Sequence, residues 1–337
     1  MPLLPFLALT LGRADLTSEV KTQTINGIFA AMRQEYVFPE IATKAEAAVR
    51  QKLAAHAYDG IVDGPAFAKQ LTDDLKDVCH DAHLRVRYSA ESLPERKNAG
   101  VPSPAEIEEG KRFERLDNGA FQKVERLAGN IGYIRLDGFY SPEAAKEPLR
   151  AAMAFVARTD ALIIDLRGNG GGDPSTVQMV CSYLFDKPTL INSIYFRPYN
   201  RTTDFWTSKK VPGPKYLDRD VYVLTGKRTA SGAEECAYDL QTQKRATIVG
   251  ESTWGGANPG HTVRLNDHFG VFVPVGRAIN PITKTNWEGT GVTPDINVAS
   301  AEALKSAQIL AVEKLLANAD AKDKARLTEA LDWIRKN

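Results

Sequence analysis

Ser231 has the clearest chemical setting in this chain. It lies in Thr229-Ala230-Ser231-Gly232-Ala233-Glu234, just after the short apolar run Val221-Tyr222-Val223-Leu224-Thr225. A β-branched apolar run of that length reads as a buried strand. Gly226 breaks it, and Ala233, Ala237 and Leu240 then recur at helical spacing. Ser231 therefore falls where a strand has ended and a helix begins. A helix start leaves backbone N–H groups without partners and carries positive partial charge. A serine there is most often an N-cap. It can also be a nucleophile whose neighbouring amides hold an oxyanion. A serine hydroxyl needs a base at neutral pH, and histidine is the default one. Five histidines are available: His56, His80, His83, His261 and His268.

A second glycine-rich turn, Arg167-Gly168-Asn169-Gly170-Gly171-Gly172, follows the apolar run Ala161-Leu162-Ile163-Ile164-Asp165-Leu166. It lacks the Gly-Lys-Ser/Thr ending of a phosphate loop, and it is not a dinucleotide fingerprint. It reads either as a tight turn that lets backbones pack closely or as a backbone N–H presented to a carbonyl.

The elements that must position these turns follow from the apolar periods. Ile25, Ile28, Phe29 and Met32 recur at helical spacing, Pro39 interrupts, and Ile41 to Ala54 and Phe67 to Val78 continue as helices. After His80-Asp81-Ala82-His83 the period changes to two, with Leu84, Val86 and Tyr88 on one side of a strand. The polar stretch with Pro94, Pro102 and Pro104 reads as a connector. Beyond it strands and helices alternate, which argues for an α/β layered core. The expected organisation is a possible leader over 1–15, a three-helix subdomain over 16–89, a connector over 90–120, the core over 121–300 and closing helices over 301–337.

Composition bounds the function. The 337 residues are 43% hydrophobic and 25% charged, with 43 Lys+Arg against 42 Asp+Glu. That near-neutral balance gives no electrostatic case for nucleic acid or an anionic membrane. Cys79, Cys181 and Cys236 have no metal-ligand spacing and read as buried thiols. Met1 to Gly12 is apolar but too short to span a membrane. It has the length of a signal h-region, and Gly12-Arg13-Ala14 is a small-x-small cleavage pattern without a positive n-region. An exported location, periplasmic or secreted, follows if it is a signal; a cytoplasmic one remains if it is a first buried segment.

Four ordered blocks carry a resemblance. They are Asp165 to Gly172, Thr229 to Glu234, Gly250-Glu251-Ser252-Thr253-Trp254-Gly255-Gly256, and Gly291-Val292-Thr293-Pro294-Asp295-Ile296. Together they resemble the S41 family of serine peptidases, the tail-specific or C-terminal-processing group. The resemblance implies a crotonase- or ClpP-like core of ββα units. Processing members use a Ser/Lys dyad whose lysine follows the serine by 25 residues; the corresponding position here is Gly256. The connector is also short for the family's PDZ insertion. Both departures resemble the retinoid-binding-protein-like and tricorn-like branch, which implies a Ser, His, Glu set.

On that resemblance His83 aligns with the family's Asp-x-His block and is the expected base, with His80 and His261 as alternatives. Glu288, in Asn286-Trp287-Glu288-Gly289-Thr290-Gly291, is the expected orienter of the imidazole. The oxyanion hole is expected from the N–H of Gly232 and one from Gly170 or Gly171. Glu234 is expected to support the helix dipole, Asp165 to hold the glycine loop and Asp295 to pin a turn. The implied reaction is hydrolysis of a peptide or protein substrate, with no metal or cofactor required. Two other readings stay open: a weakly catalytic or non-catalytic binder of an apolar ligand, and a Ser/Lys enzyme using Lys227 or Lys284.

Overall fold

The computed structural model describes residues 16–94 and 103–337, so the leader read in residues 1–15 lies outside the described residues. In chain order the elements are helices α1 (Ser18–Glu35), α2 (Pro39–Ala54) and α3 (Gly64–Cys79), strand β1 (Arg85–Tyr88), helix α4 (Pro104–Leu116), strands β2 (Phe121–Leu127) and β3 (Ile131–Leu136), helix α5 (Pro142–Val156), strand β4 (Ala161–Asp165) and helix α6 (Pro174–Ser182). Strands β5 (Leu190–Phe196), β6 (Arg201–Trp206) and β7 (Asp220–Thr225) follow, then helix α7 (Gly232–Thr242). The chain closes with strands β8 (Thr247–Gly250), β9 (Gly260–Arg264), β10 (Phe269–Pro274), β11 (Gly276–Ile279) and β12 (Ile296–Asn297) and helices α8 (Ala303–Ala317) and α9 (Ala321–Lys336). Among the described residues no helix is long and apolar enough to cross a membrane.

The chain divides into two compact units. One gathers the described residues before position 102 with Gly260–Val275; the other holds the described residues of Pro102–Pro259 and Gly276–Asn337. In the first, α1, α2 and α3 bury Ile25, Ile28, Phe29, Met32, Phe67, Leu71 and Leu75. Asp63 caps α3 by accepting from Ala66 N–H, and His80 ends it in the left-handed conformation, φ 50°. The strand β1 is too short to stand alone. It is the edge of an antiparallel sheet ordered β1-β10-β9, with Arg85 opposite Phe272 and Tyr88 opposite Phe269. The β9–β10 hairpin was expected as part of the later core. Its alternating pattern could not say which sheet it would join, and the open edge of β1 is where it pairs.

The second unit is built on a six-stranded sheet ordered β12-β8-β7-β4-β3-β2. All neighbours pair parallel except β2 with β3. Both faces are covered, which is why β4 reads as an uninterrupted apolar run. Leu162, Ile164, Val221 and Val223 pack with α5, α6 and α7 through Leu149, Val177 and Ala237. The alternate residues Ala161, Ile163, Tyr222 and Leu224 pack with α8 and α9 through Ala307, Ala311 and Leu327. A second sheet, antiparallel and ordered β11-β5-β6, belongs to the same unit. Neither β5 nor β6 was foreseen. The stretch read as a connector holds a helix, α4, closed by a Ser103/Glu106 capping box and with none of its residues buried.

Candidate active site

β7 runs between β4 and β8 and delivers the chain to the turn at Gly226. Thr229 fixes that turn: its hydroxyl donates to Leu166 O at 2.8 Å and accepts from Gly226 N–H at 3.0 Å. Ala230 N–H donates to Asn169 O at 3.1 Å, which ties the two glycine-rich turns together. Ser231 then has φ 53° and ψ −121°, a left-handed φ that a side chain adopts only under strain. The arrangement is that of a capping box in which the return half is a full hydrogen bond and the Ser231 hydroxyl faces Glu234 N–H without closing one. Ser231 N–H donates to Glu234 Oε2 at 2.8 Å, while the Ser231 hydroxyl makes no cap bond.

Glu234, expected only as dipole support, is a buried clamp. Besides Ser231 N–H, its carboxylate accepts from Thr253 Oγ1 and Gly255 N–H, both at 2.5 Å, and from Gly256 N–H at 2.9 Å. Trp254 N–H donates to Thr229 O at 3.0 Å, a second tie between the same segments. Burial raises the Glu234 carboxyl above its ordinary value although all these donors pull it down. No sequence signal distinguished this carboxylate from an ordinary first-turn acid.

The loop Arg167–Gly172 lies directly on the serine. Asn169 is fully buried; its Nδ2 donates to Leu136 O at 2.9 Å and its Oδ1 accepts from Gly171 N–H at 2.8 Å. Asp165 anchors the loop through Arg167, as expected, and accepts from Tyr133 OH at 2.7 Å. Gly171 has φ 99°, and a Cβ there would stand 2.8 Å from Ser231 Cβ and 2.7 Å from Gly232 N. Only glycine permits that approach. The Gly171 amide is engaged by Asn169, whereas the amides of Gly170 and Gly232 have no acceptor among the described residues. Gly170 is exposed, with open space around its α-carbon.

Glu288 is in the same unit. Its Oε2 accepts from Ala257 N–H at 2.5 Å and Asn258 N–H at 3.1 Å. The adjacent Trp287, 2% exposed, donates from Nε1 to Gly256 O at 2.9 Å. Gly256 thus sits in a pinned backbone segment, and Lys227 and Lys284 are both exposed. Asp295, expected to pin a turn, instead ties down the strand and helix beside it: its Oδ2 accepts from Ile248 N–H on β8 at 2.7 Å and its Oδ1 from Gln241 Nε2 on α7 at 3.0 Å.

His83 belongs to the other unit. It lies on the turn between α3 and β1, and Asp81 shapes that turn by accepting from His83 N–H at 3.1 Å and Leu84 N–H at 3.3 Å. Tyr36 OH donates to the other Asp81 oxygen at 3.3 Å. The His83 ring stacks on Phe272, centroids 5.8 Å apart. Burial, with Arg85 and Lys76 adding to it, lowers its pKa to about 4, so the imidazole is neutral at neutral pH. His261 Nε2 is instead 2.8 Å from Glu35 Oε2, and His80 is exposed at the end of α3.

A strained serine at a strand-to-helix turn, flanked by a second glycine loop, is placed so that its hydroxyl and the neighbouring amides can face a substrate. A family model for peptidase family S41 matches residues 130–298, and a model for the N-terminal domain of Peptidase S41 in eukaryotic IRBP matches residues 14–123. The chain belongs to peptidase family S41. It is 31% identical over 202 residues to a carboxyl-terminal-processing protease of Synechocystis, covering 59% of this chain and 45% of that protein. The chain thus spans less than half the length of that relative. Among solved structures it is similar to the photosystem II D1 C-terminal processing protease, with a TM-score of 0.52 at 18% identity, covering 85% of this chain and 94% of that one. Mature CPAF is similar with a TM-score of 0.59 at 12% identity, covering 90% and 98%.

Proposed function

We propose that the chain is a serine peptidase acting on peptide or protein substrates, with Ser231 as nucleophile, His83 as base and Glu288 as the group that orients the imidazole. The observation that carries this reading is the serine itself: strained, held only loosely as a cap, and flanked by the Gly170 and Gly232 amides, which have no acceptor among the described residues. Ser231 Oγ bonds to the peptide carbonyl carbon while His83 accepts its proton. The oxyanion is held by the N–H groups of Gly232 and Gly170. The carbon–nitrogen bond then breaks, His83 returns the proton to the leaving amine, and water hydrolyses the acyl-enzyme. His83 is preferred to His261 because it stands in the Asp-x-His block that resembles the family's. The absence of a lysine at Gly256 favours histidine over a Ser/Lys dyad. The similarity to carboxyl-terminal-processing proteases supports trimming of carboxyl-terminal ends as the reaction, and a crotonase-like core, a helical subdomain over 16–89 and an exported location complete the proposal.

A fluorophosphonate probe tests it. The wild type should label, Ser231→Ala should not, and His83→Ala should label at least about 100-fold more slowly, the scale of a lost general base. Equal labelling of His83→Ala and wild type would remove the base. No labelling of the wild type would favour the binding of an apolar ligand, the reading supported by the match of residues 14–123.

A further inference from the structure

α7 carries two acids that the proposed reaction does not use. Glu235 and Asp239 lie one turn apart on its buried side, 5% and 0% exposed. Asp239 Oδ1 accepts from Asn280 Nδ2 at 3.2 Å. Glu235 Oε1 and Asp239 Oδ2 are buried without a hydrogen-bond partner among the described residues, and the Asn192 amide on β5, which faces Glu235, acts only to lower that carboxyl against the larger effect of burial. The other titratable groups acting on the pair are Asp173 at the start of α6 and the thiols Cys236 and Cys181. None of these is a cation. A buried carboxylate with no counter-charge and an unpartnered oxygen is costly, and a second one at the i,i+4 position repels it.

We propose that α7 contains a proton-operated latch: Glu235 and Asp239 keep their protons in the working fold, and losing them loosens the helix that begins at Gly232. Burial, with Asp173 beside Glu235 and with Glu235 and Cys236 beside Asp239, raises both carboxyls above their ordinary range. The folded chain then binds more protons than the unfolded chain above the ordinary carboxylate range, so stability falls as pH rises. Glu235 N–H donates to Ser231 O at 2.9 Å, which links the latch to the nucleophile. The consequence for activity rests on Ser231 being that nucleophile; the consequence for stability does not.

Urea unfolding of the full chain between about pH 5 and pH 9 reads the latch, because each proton released raises the unfolding constant by up to about tenfold per pH unit. Glu235→Gln, Asp239→Asn and the double variant should flatten the fall seen in wild type. Probe labelling of the wild type should decline over the same range and that of Glu235→Gln less. An unchanged pH slope in the variants would overturn the proposal. So would a calcium-induced rise in wild-type stability at constant pH that Glu235→Gln lacks, because it would place a cation between the carboxyls. Should the double variant fail to fold, infrared spectroscopy of the wild type decides. A protonated-carboxyl band that persists at neutral pH and weakens in Glu235→Gln supports the latch, and its absence from wild type overturns it.

Discussion

Ser231 holds a φ that costs a side-chain-bearing residue on the order of 1–3 kcal/mol, and its neighbours over-determine it. Glu234 fixes its N–H, Ala233 N–H donates to Ala230 O, and Gly171 blocks the space beside its Cβ. Glycine relieves that strain and alanine does not. Ser231→Gly should therefore be more stable than Ser231→Ala by about 1 kcal/mol in urea unfolding, while neither labels with the probe. Removing the clamp is a larger change. Glu234→Ala leaves the amides of Ser231, Gly255 and Gly256 and the Thr253 hydroxyl without their acceptor, and should destabilise by about 3–5 kcal/mol, with Glu234→Gln less affected. Gly171→Ala puts a methyl group 2.7 Å from Gly232 N, one of the two proposed oxyanion donors. It should slow labelling by about 10²–10³, the scale of a lost oxyanion donor, with the thermal midpoint showing whether the fold survives.

The strand-turn-helix from β7 to α7 makes these residue effects possible, because a turn can store strain only when both flanking elements are rigid. β7 is anchored by Tyr222 and Leu224 on one face and Val221 and Val223 on the other. α7 is anchored by Ala233, Cys236, Ala237 and Leu240, all fully buried. Leu240→Ala should lower stability by about 3–5 kcal/mol in urea unfolding, and labelling should weaken along with it, although the residue is more than two helical turns from Ser231. The strand, the turn and the helix were legible in the sequence because they are local: a β-branched run, a glycine, an alanine period. The Glu234 clamp was not, since its partners Thr253 to Gly256 are distant in sequence and nothing in a first-turn acid says that it is buried. The pairing of β9 and β10 with β1 was hidden for a similar reason, since alternation marks a strand but not its neighbour. β5 and β6 were missed because Asn192, Ser193, Thr202, Thr203 and Asp204 dilute their apolar period.

At the scale of the whole molecule, protons act on stability from two directions. His83 is held below its ordinary value when folded, at about 4, mainly by burial and then by Arg85 and Lys76. The unfolded chain therefore binds more protons than the folded chain between the ordinary histidine range and that lower value. The His83 contribution is present above the ordinary range and is lost as pH falls through it. Glu235 and Asp239 act oppositely, on the side of rising pH. For activity the base must be neutral, so the acid limb of probe labelling should appear only below about pH 5, falling about tenfold per pH unit below the His83 value, separate from the decline with rising pH that the α7 acids impose. Lys76→Ala removes one of the two nearby cations and should move that acid limb upward, toward the ordinary histidine range, without changing the plateau. The limb has to be read from labelling rates at pH values where circular dichroism still reports a folded chain. A limb already at the ordinary histidine value in wild type, and unmoved by Lys76→Ala, would show that the proton leaving Ser231 goes to some group other than His83.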